Sequence, residues 1–327
     1  QAAGQQAAAE ASAAYLFCGM SRRGASALRQ AARETWALGL RGGSAALRFF
    51  VGEAATAADG HEAELLVQET DVVELPVPEA YRAVNVKAFA MLEWAFDHFP
   101  HIQWLLRHDD DVYLRPSPVL ARLDALAPVR CLWGSFDHGS TPVRDPGHPH
   151  YNSAEQCPEF KHPVWGDIFP PYARGHLWAM SADLLGEVVR GWKAELGGLG
   201  DARAAEALAS QLPHPDDPAL GIVIRNLVAQ GFSINFDDRD FNAFSLNPSC
   251  NSSFSNMHNR TWVVHHVTAE AMRCMWALDA AGQGRGGREL PDLCPCAMGI
   301  SEEEDPMYNG TPFWYPKDRF VAAAVGS

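Results

Sequence analysis

The chain has 327 residues, is 47% hydrophobic with ten Trp and sixteen Phe, and carries a formal charge of −14 from 26 basic and 40 acidic side chains. That composition excludes a disordered chain and supports a large folded α/β unit. The acidic balance argues against a general nucleic-acid binder, which needs a basic footprint, and leaves room for a local cationic pocket.

Residues 1–13 are rich in Ala and Gln and read as a leader or stem remnant. Ala14 to Cys18 forms a short apolar strand, and residues 21–38 follow as a helix with Leu28, Ala31, Ala32, Thr35 and Trp36 on one face and Ser21 as its cap. Leu47 to Val51 and Val72 to Leu75 supply two more strands, ended by Gly52 and Pro76. A helix spans 82–98, with Val84, Ala88, Met91, Leu92, Ala95 and Phe96 on its apolar face. The run Ile102 to Leu106 is a strand that leads into Asp109, Asp110 and Asp111. A helix opening at Ser117-Pro118 and a strand from Cys131 to Phe136 complete an alternation of strand and helix, which predicts a mostly parallel sheet with helices on both faces. Residues 137–170 read as long loops, Ser181 opens an amphipathic helix, Asp217-Pro218 opens another to about 230, and 232–260 reads as irregular. Val263-Val264 leads into His265-His266, and residues 279–327 read as a peripheral C-terminal extension to a domain covering 14–278.

No stretch is long and apolar enough for a membrane helix, and no secretory leader opens the chain. The seven cysteines leave at least one unpaired in a monomer and fix no pairing. Acceptor patterns for N-glycosylation at Asn251, Asn259 and Asn309 favour an oxidising secretory compartment.

The chemistry centres on the aspartate run. Three consecutive carboxylates can be a solvated loop, but beyond the C-terminal end of a central strand they lie where open α/β sheets bind ligands. Clustered there, they call for a cation; oxygen donors suit Mg²⁺ or Mn²⁺, either of which can bridge to a diphosphate. Asp111 is the first candidate for a direct ligand, with Asp109 beside the nucleotide or bound through water. His265 and His266 end a strand, so alternation admits one of them to a site, and an imidazole ligand favours manganese. Asp217 is either a helix N-cap, which lowers its pKa, or a general base toward an acceptor hydroxyl.

Several motifs in order resemble the β1,3-glycosyltransferase family of β1,3-galactosyltransferases, related N-acetylglucosaminyltransferases and Fringe proteins. They are Arg29-Gln-Ala-Ala-Arg33-Glu-Thr-Trp36, Phe50-Val-Gly52, Glu64 and Asp71 with Tyr81-Arg-Ala-Val-Asn-Val-Lys87, and Trp104 through Tyr113. Pro170-Pro-Tyr-Ala-Arg-Gly175 through Ser181 and Asp216-Asp217-Pro-Ala-Leu-Gly221 follow. The resemblance covers residues 14–278. It implies a GT-A-type single catalytic domain, a UDP-sugar donor, a divalent cation (Mn²⁺, with Mg²⁺ as the alternative), inversion and a β1,3 linkage to a glycan or glycoprotein. It also implies the Golgi lumen, with a membrane anchor outside this chain.

By the same resemblance Asp111 and His266 hold metal and Asp217 is the base. Arg33, Lys87, Asp109 and Asp110 face the nucleotide, and Arg29, Asp216, Gly175, His176 and His265 are their neighbours. Trp36 and Tyr81 read as packing residues. Arg174-Gly175-His176 departs from the family's paired glycines and crowds a loop expected near donor and acceptor; Pro218 constrains the backbone after the base. UDP-galactose is the preferred donor. UDP-N-acetylglucosamine, a silent glycan-binding homologue and a metal-dependent phosphoesterase are the alternatives.

Overall fold

The computed structural model describes residues 13–40, 43–54, 69–154, 156, 161–162, 166–196, 211–246, 248, 259–283 and 290–296. Glu64, Asn251, Asn309, residues 1–12 of the leader and residues 297–327 of the extension lie outside them.

The strands in chain order are β1 (Tyr15–Met20), β2 (Ala45–Glu53), β3 (Val72–Pro78), β4 (Trp104–Asp109), β5 (Tyr113–Leu114), β6 (Cys131–Asp137), β7 (Lys161–His162) and β8 (Gly166–Asp167). They continue with β9 (Tyr172–Ser181), β10 (Asn235–Asp237), β11 (Phe244–Ser245) and β12 (Val263–Val264). The α-helices are α1 (Ser26–Glu34), α2 (Val84–His98), α3 (Pro116–Asp124), α4 (Ala182–Leu196), α5 (Asp216–Ala229) and α6 (Ala269–Gln283).

Seven strands form one sheet in the order β10-β6-β9-β4-β1-β2-β3. Parallel pairing joins β4, β1, β2 and β3, and also β10 to β6; β9 runs antiparallel between β4 and β6. The mostly parallel sheet therefore carries one reversed strand near its centre. The segment around Arg174–His176, expected as a loop, is part of this ten-residue strand. Its burial on both faces explains how it was missed: an internal strand carries apolar residues without alternation and, with Gly175 and His176 inside it, loses the usual pattern.

Alternation sorts the central strands into two cores. Leu16, Cys18, Met20, Leu105, Trp178 and Met180 point to the side packed by α2, α4 and α5. Phe17, Phe49, Trp104, Leu106, Leu177 and Ala179 point to the side packed by α1, α3 and α6. On the first side Phe89 and Trp192 stack with ring centroids 4.4 Å apart, and both are buried; truncating such a ring costs about 3–5 kcal/mol. A second, small sheet in the order β11-β12-β5 lies on the other side. Buried Arg115 pairs with Asp279 at 2.7 Å and donates to the Thr261 carbonyl, which fastens α6 and the approach to β12 to the end of β5.

Helix α6 runs through the boundary expected at 278. The Cys274–Cys296 disulfide ties the following segment to it, and Leu293 is buried in the second core. Cys294 is disulfide-bonded as well, whereas Cys18 and Cys131 are free and buried. Ser21 does not cap a helix, because α1 begins only at Ser26.

Gly19 on β1 is required by close packing. A Cβ there would lie 2.6 Å from the Phe49 ring and 2.9 Å from the His108 ring. The Phe49 ring, with Trp36 and Phe17, encloses His108 immediately before the aspartate run. Gly19→Ala is expected to destabilise the fold by about 1–3 kcal/mol, as overpacking does, and to lower the thermal midpoint by several degrees. An unchanged midpoint would show that this cage can expand.

Candidate active site

The site is assembled where β4 ends. Its strand alternation sends Arg107 and Asp109 to the α5 side and His108 to the opposite core. Residues Asp110 and Asp111 leave the strand in a turn, so the segment does not stay extended. Asp110 swings away from its neighbours and accepts from the Ser21 hydroxyl at 2.7 Å and the Arg22 amide at 3.3 Å. Burial, followed by repulsion from Asp111 and Asp109 and only partly offset by Ser21, pushes its pKa up to about 6.

The small sheet brings the histidines to the aspartates. Strand β12 pairs with β5 so that Val264 faces Tyr113, and the Val267 amide donates to the Asp111 carbonyl at 2.9 Å. His265 Nε2 then lies 3.2 Å from Asp111 Oδ1 and 3.3 Å from Asp109 Oδ2. The expectation that only one histidine enters the site is corrected. His266 has φ of 57°, a left-handed turn that cancels strand alternation, and the two rings lie 3.9 Å apart on the same side. Asp111, His265 and His266 each offer a donor atom within 4.8 Å of the others.

This donor set fits a divalent cation that accepts both oxygen and nitrogen. A further observation points the same way. Burial opposes charge on His265, yet its contacts to Asp109 and Asp111 prevail and raise its pKa to about 10. A metal ligated by His265 would displace that proton.

Arg107 lies beneath the cluster and is fully buried. It pairs with Asp109 at 2.9 Å and with Asp216 at 2.7 Å, and donates to the Gly175 carbonyl. Burial opposes ionisation of Asp109, but Arg107 first and His265 next hold its pKa far below the carboxylate range. Gly175 leaves room for its neighbours: a Cβ there would meet the Arg107 guanidinium and lie 2.8 Å from Asp217 Oδ1.

Asp217 is in the first turn of α5, and the residue before that helix is Pro215. It is therefore not the N-cap. Pro218 sits in the same first turn, where a missing N–H removes no helical bond. One Asp217 oxygen accepts from the Gly175 amide at 2.8 Å; the other, Oδ1, is buried without a partner. Burial first, then Asp216 and Asp109, raise the Asp217 pKa well above the usual value against the pull of Arg107. The expected lowering by capping is thus reversed. Asp216 is also raised, chiefly by burial.

The remaining expected residues are further out. Lys87 is buried and donates to Glu79 at 2.8 Å and to the Ser21 carbonyl, one residue from the Asp110 contact. Arg29 is fully buried, holds Glu69 at 2.7 Å and donates to the Ser21 hydroxyl at 2.9 Å. Arg33 pairs with Glu69 and with Asp71 at 2.6 Å and covers the Phe49 ring. Each of these three cations thus carries a protein carboxylate. His176 is buried, 5.8 Å from the His265 ring, and burial holds it neutral. Trp36 is core, as expected, whereas Tyr81 is 54% exposed and is not a packing residue. Arg107 and Ser21 were missed as site residues. The two-residue step from Arg107 to Asp109 on one strand could have revealed the first; nothing local could have revealed Ser21, 89 positions from Asp110.

Because Asp217 has a higher pKa folded than unfolded, folding takes up protons, and stability falls as pH rises through that interval. Asp217→Asn keeps an acceptor for Gly175 and removes the buried charge. It is expected to raise the thermal midpoint near neutral pH, with the gain shrinking as pH falls toward the ordinary carboxylate pKa. Calorimetry across that range checks this; a lower midpoint at neutral pH would contradict it.

Among known proteins, the family model described as Galactosyltransferase matches residues 27–195. A β1,3-galactosyltransferase of Arabidopsis thaliana, GALT1, is 25% identical over 259 residues, covering 76% of this chain and 34% of the relative. Human β1,3-galactosyltransferase 4 is 27% identical over 143 residues, 34% of this chain and 36% of the relative. The mouse acetylgalactosaminyl-O-glycosyl-glycoprotein β1,3-N-acetylglucosaminyltransferase is 29% identical over 96 residues, 29% of this chain and 25% of the relative. The aligned part of the chain thus spans a quarter to about a third of these relatives. Among solved structures, the galactosyltransferase LgtC with donor and acceptor sugar analogues is a distant likeness, with a TM-score of 0.40 and 13% identity over 88% of this chain and 98% of that one. The family model covers more than half of the chain, over the α/β domain that carries the aspartate run: this chain belongs to the galactosyltransferase family, among its β1,3-glycosyltransferase-like members.

Proposed function

We propose that this chain transfers a sugar from a nucleotide-sugar donor to a glycan hydroxyl, and specifically galactose from UDP-galactose, with inversion, in a β1,3 linkage. The observation that carries the reading is the pairing of a cation-ready cluster, Asp111, His265 and His266, with the buried, unpartnered oxygen of Asp217. Family membership supplies the reaction class, and the galactosyltransferases among the relatives support the choice of sugar.

When bound, Mn²⁺ or Mg²⁺ neutralises the diphosphate of the departing nucleotide. Asp111, His265 and His266 hold it, with Asp109 kept ionised by Arg107 beside them. Asp217 Oδ1 takes the proton from the acceptor hydroxyl as that oxygen forms its bond to the anomeric carbon. The bond from that carbon to the donor phosphate breaks on the opposite face, and UDP leaves with the electron pair. A raised pKa suits this role, since a base is most effective when its pKa approaches the working pH. Lys87, Arg29 and Ser21 steady Asp110 at the nucleotide side, and Arg33 lies further along the same helix.

The Cys274–Cys296 disulfide supports an oxidising, secretory location, in keeping with the Golgi lumen. No helix among the described residues is long and apolar enough to cross a membrane. An N-acetylglucosamine donor is the second reading, because relatives with that activity match as well.

Asp111→Ala is expected to abolish Mn²⁺-dependent UDP binding by calorimetry, and unchanged binding would reject the metal role. Asp217→Asn is expected to bind UDP normally while transfer falls about 10²–10⁴-fold, the usual contribution of a general base. Turnover near that of the native protein would mean another group takes the proton. A panel of UDP-sugars with mass-spectrometric product identification tests the donor; preferential use of UDP-N-acetylglucosamine would overturn galactose.

A further inference from the structure

One aromatic side chain near the carboxylates is left open to solvent. Tyr81 stands on a 3-10 turn just before α2 and is 54% exposed, whereas most large aromatic side chains among the described residues are buried, Phe96 and Phe241 being the other exposed ones. Its ring is edge-on to His214 with centroids 4.8 Å apart and to His150 at 5.8 Å, and its hydroxyl lies 3.0 Å from His150 Nε2. The surrounding protein, and after it the negative charges of Asp216, Asp109 and Asp217, raise that hydroxyl's pKa to about 12.

The support behind the ring is rigid. His214 is 1% exposed, and neither of its ring nitrogens has a hydrogen-bond partner. Its backbone is clamped twice by buried Asn152, through His214 N–H to Asn152 Oδ1 at 2.7 Å and Asn152 Nδ2 to the His214 carbonyl at 2.6 Å. Asn85, on the helix that follows Tyr81, donates to the carbonyls of Leu212 and Pro213. Three separate segments thus converge to hold one exposed ring, on the same stretch of chain that ends two and three residues later in Asp216 and Asp217. A core tyrosine would be covered, and an incidental surface tyrosine needs no such support.

We propose that Tyr81, backed by His214 and held by His150, is the platform on which the acceptor's hexopyranose ring lies, presenting its hydroxyl to Asp217. The chemistry is that of carbohydrate recognition: the C–H-bearing face of a hexopyranose is apolar and packs on an aromatic ring, while its rim hydroxyls hydrogen-bond. Tyr81 is a binding and positioning residue and takes no proton. The inference rests on the proposed transfer reaction for its orientation toward Asp217, but binding of a glycoside can be read without turnover.

The test compares the native protein with Tyr81→Phe, Tyr81→Ala and His150→Ala. Saturation-transfer NMR is recorded for a panel of methyl hexopyranosides in the presence of UDP and Mn²⁺. The native protein and Tyr81→Phe are expected to saturate the ring protons of at least one glycoside. Tyr81→Ala is expected to lose that signal and to raise the acceptor KM about tenfold or more, with His150→Ala intermediate. The Kd for UDP with Mn²⁺ is expected to move less than about twofold throughout, which reports an intact fold. Binding by Tyr81→Ala equal to the native protein, or no glycoside signal with the native protein, overturns the platform. Absence of transfer from every UDP-sugar, with the glycoside signal present and Tyr81-dependent, would instead sink the proposed reaction and leave a glycan-binding site.

Discussion

The geometry of this site depends on one buried cation. Arg107 is removed from water at the last turn of a central strand, where an unpaired charge is prohibitive. It is stabilised there by Asp109 from its own strand, Asp216 from the first turn of α5, and the carbonyl of Gly175 from the antiparallel strand between them. Those three partners belong to three elements distant in sequence. Satisfying one guanidinium fixes where all three meet, and Gly175 leaves it room.

A single arginine cannot balance what surrounds it. Asp109, Asp111, Asp216 and Asp217 crowd one region, and the imbalance appears in two opposite responses. At one end, burial opposes charge on His265, yet its contacts with Asp109 and Asp111 raise its pKa. At the other end, burial chiefly raises the pKa of Asp217 and Asp216. One acidic cluster thus has an end whose carboxylate is paired and an end whose carboxylates are relieved by protonation, with the arginine bonded to both. The division follows from who is paired: Asp109 has Arg107 and His265, whereas Asp217 has one backbone amide on one oxygen and no partner for Oδ1 among the described residues.

The elements most distant from this centre serve to hold its edges. Tyr113, Arg115 and Asp279 lock the small sheet to α6, and that sheet sets the height of His265. Ser21 joins Asp110 to Arg29 and Lys87, so the middle aspartate is anchored away from its neighbours.

Sequence alone determined the α/β class, most helices and strands, and the placement of Asp109–Asp111 at a strand's end, because periodicity, prolines and local apolar runs carry that information. It also determined the family, through motifs in fixed order. It could not determine β9, whose two buried faces erase the alternation that marks a strand. Nor could it determine that both His265 and His266 reach the site, since that rests on a left-handed residue at 266. It left Asp217 open between a helix cap with a lowered pKa and a general base, whereas the fold places it inside the first turn and buries it, which raises its pKa. Local pattern fixes which backbone forms; the charge state of a group is set by what other segments bring within a few ångströms of it, and only tertiary structure decided that.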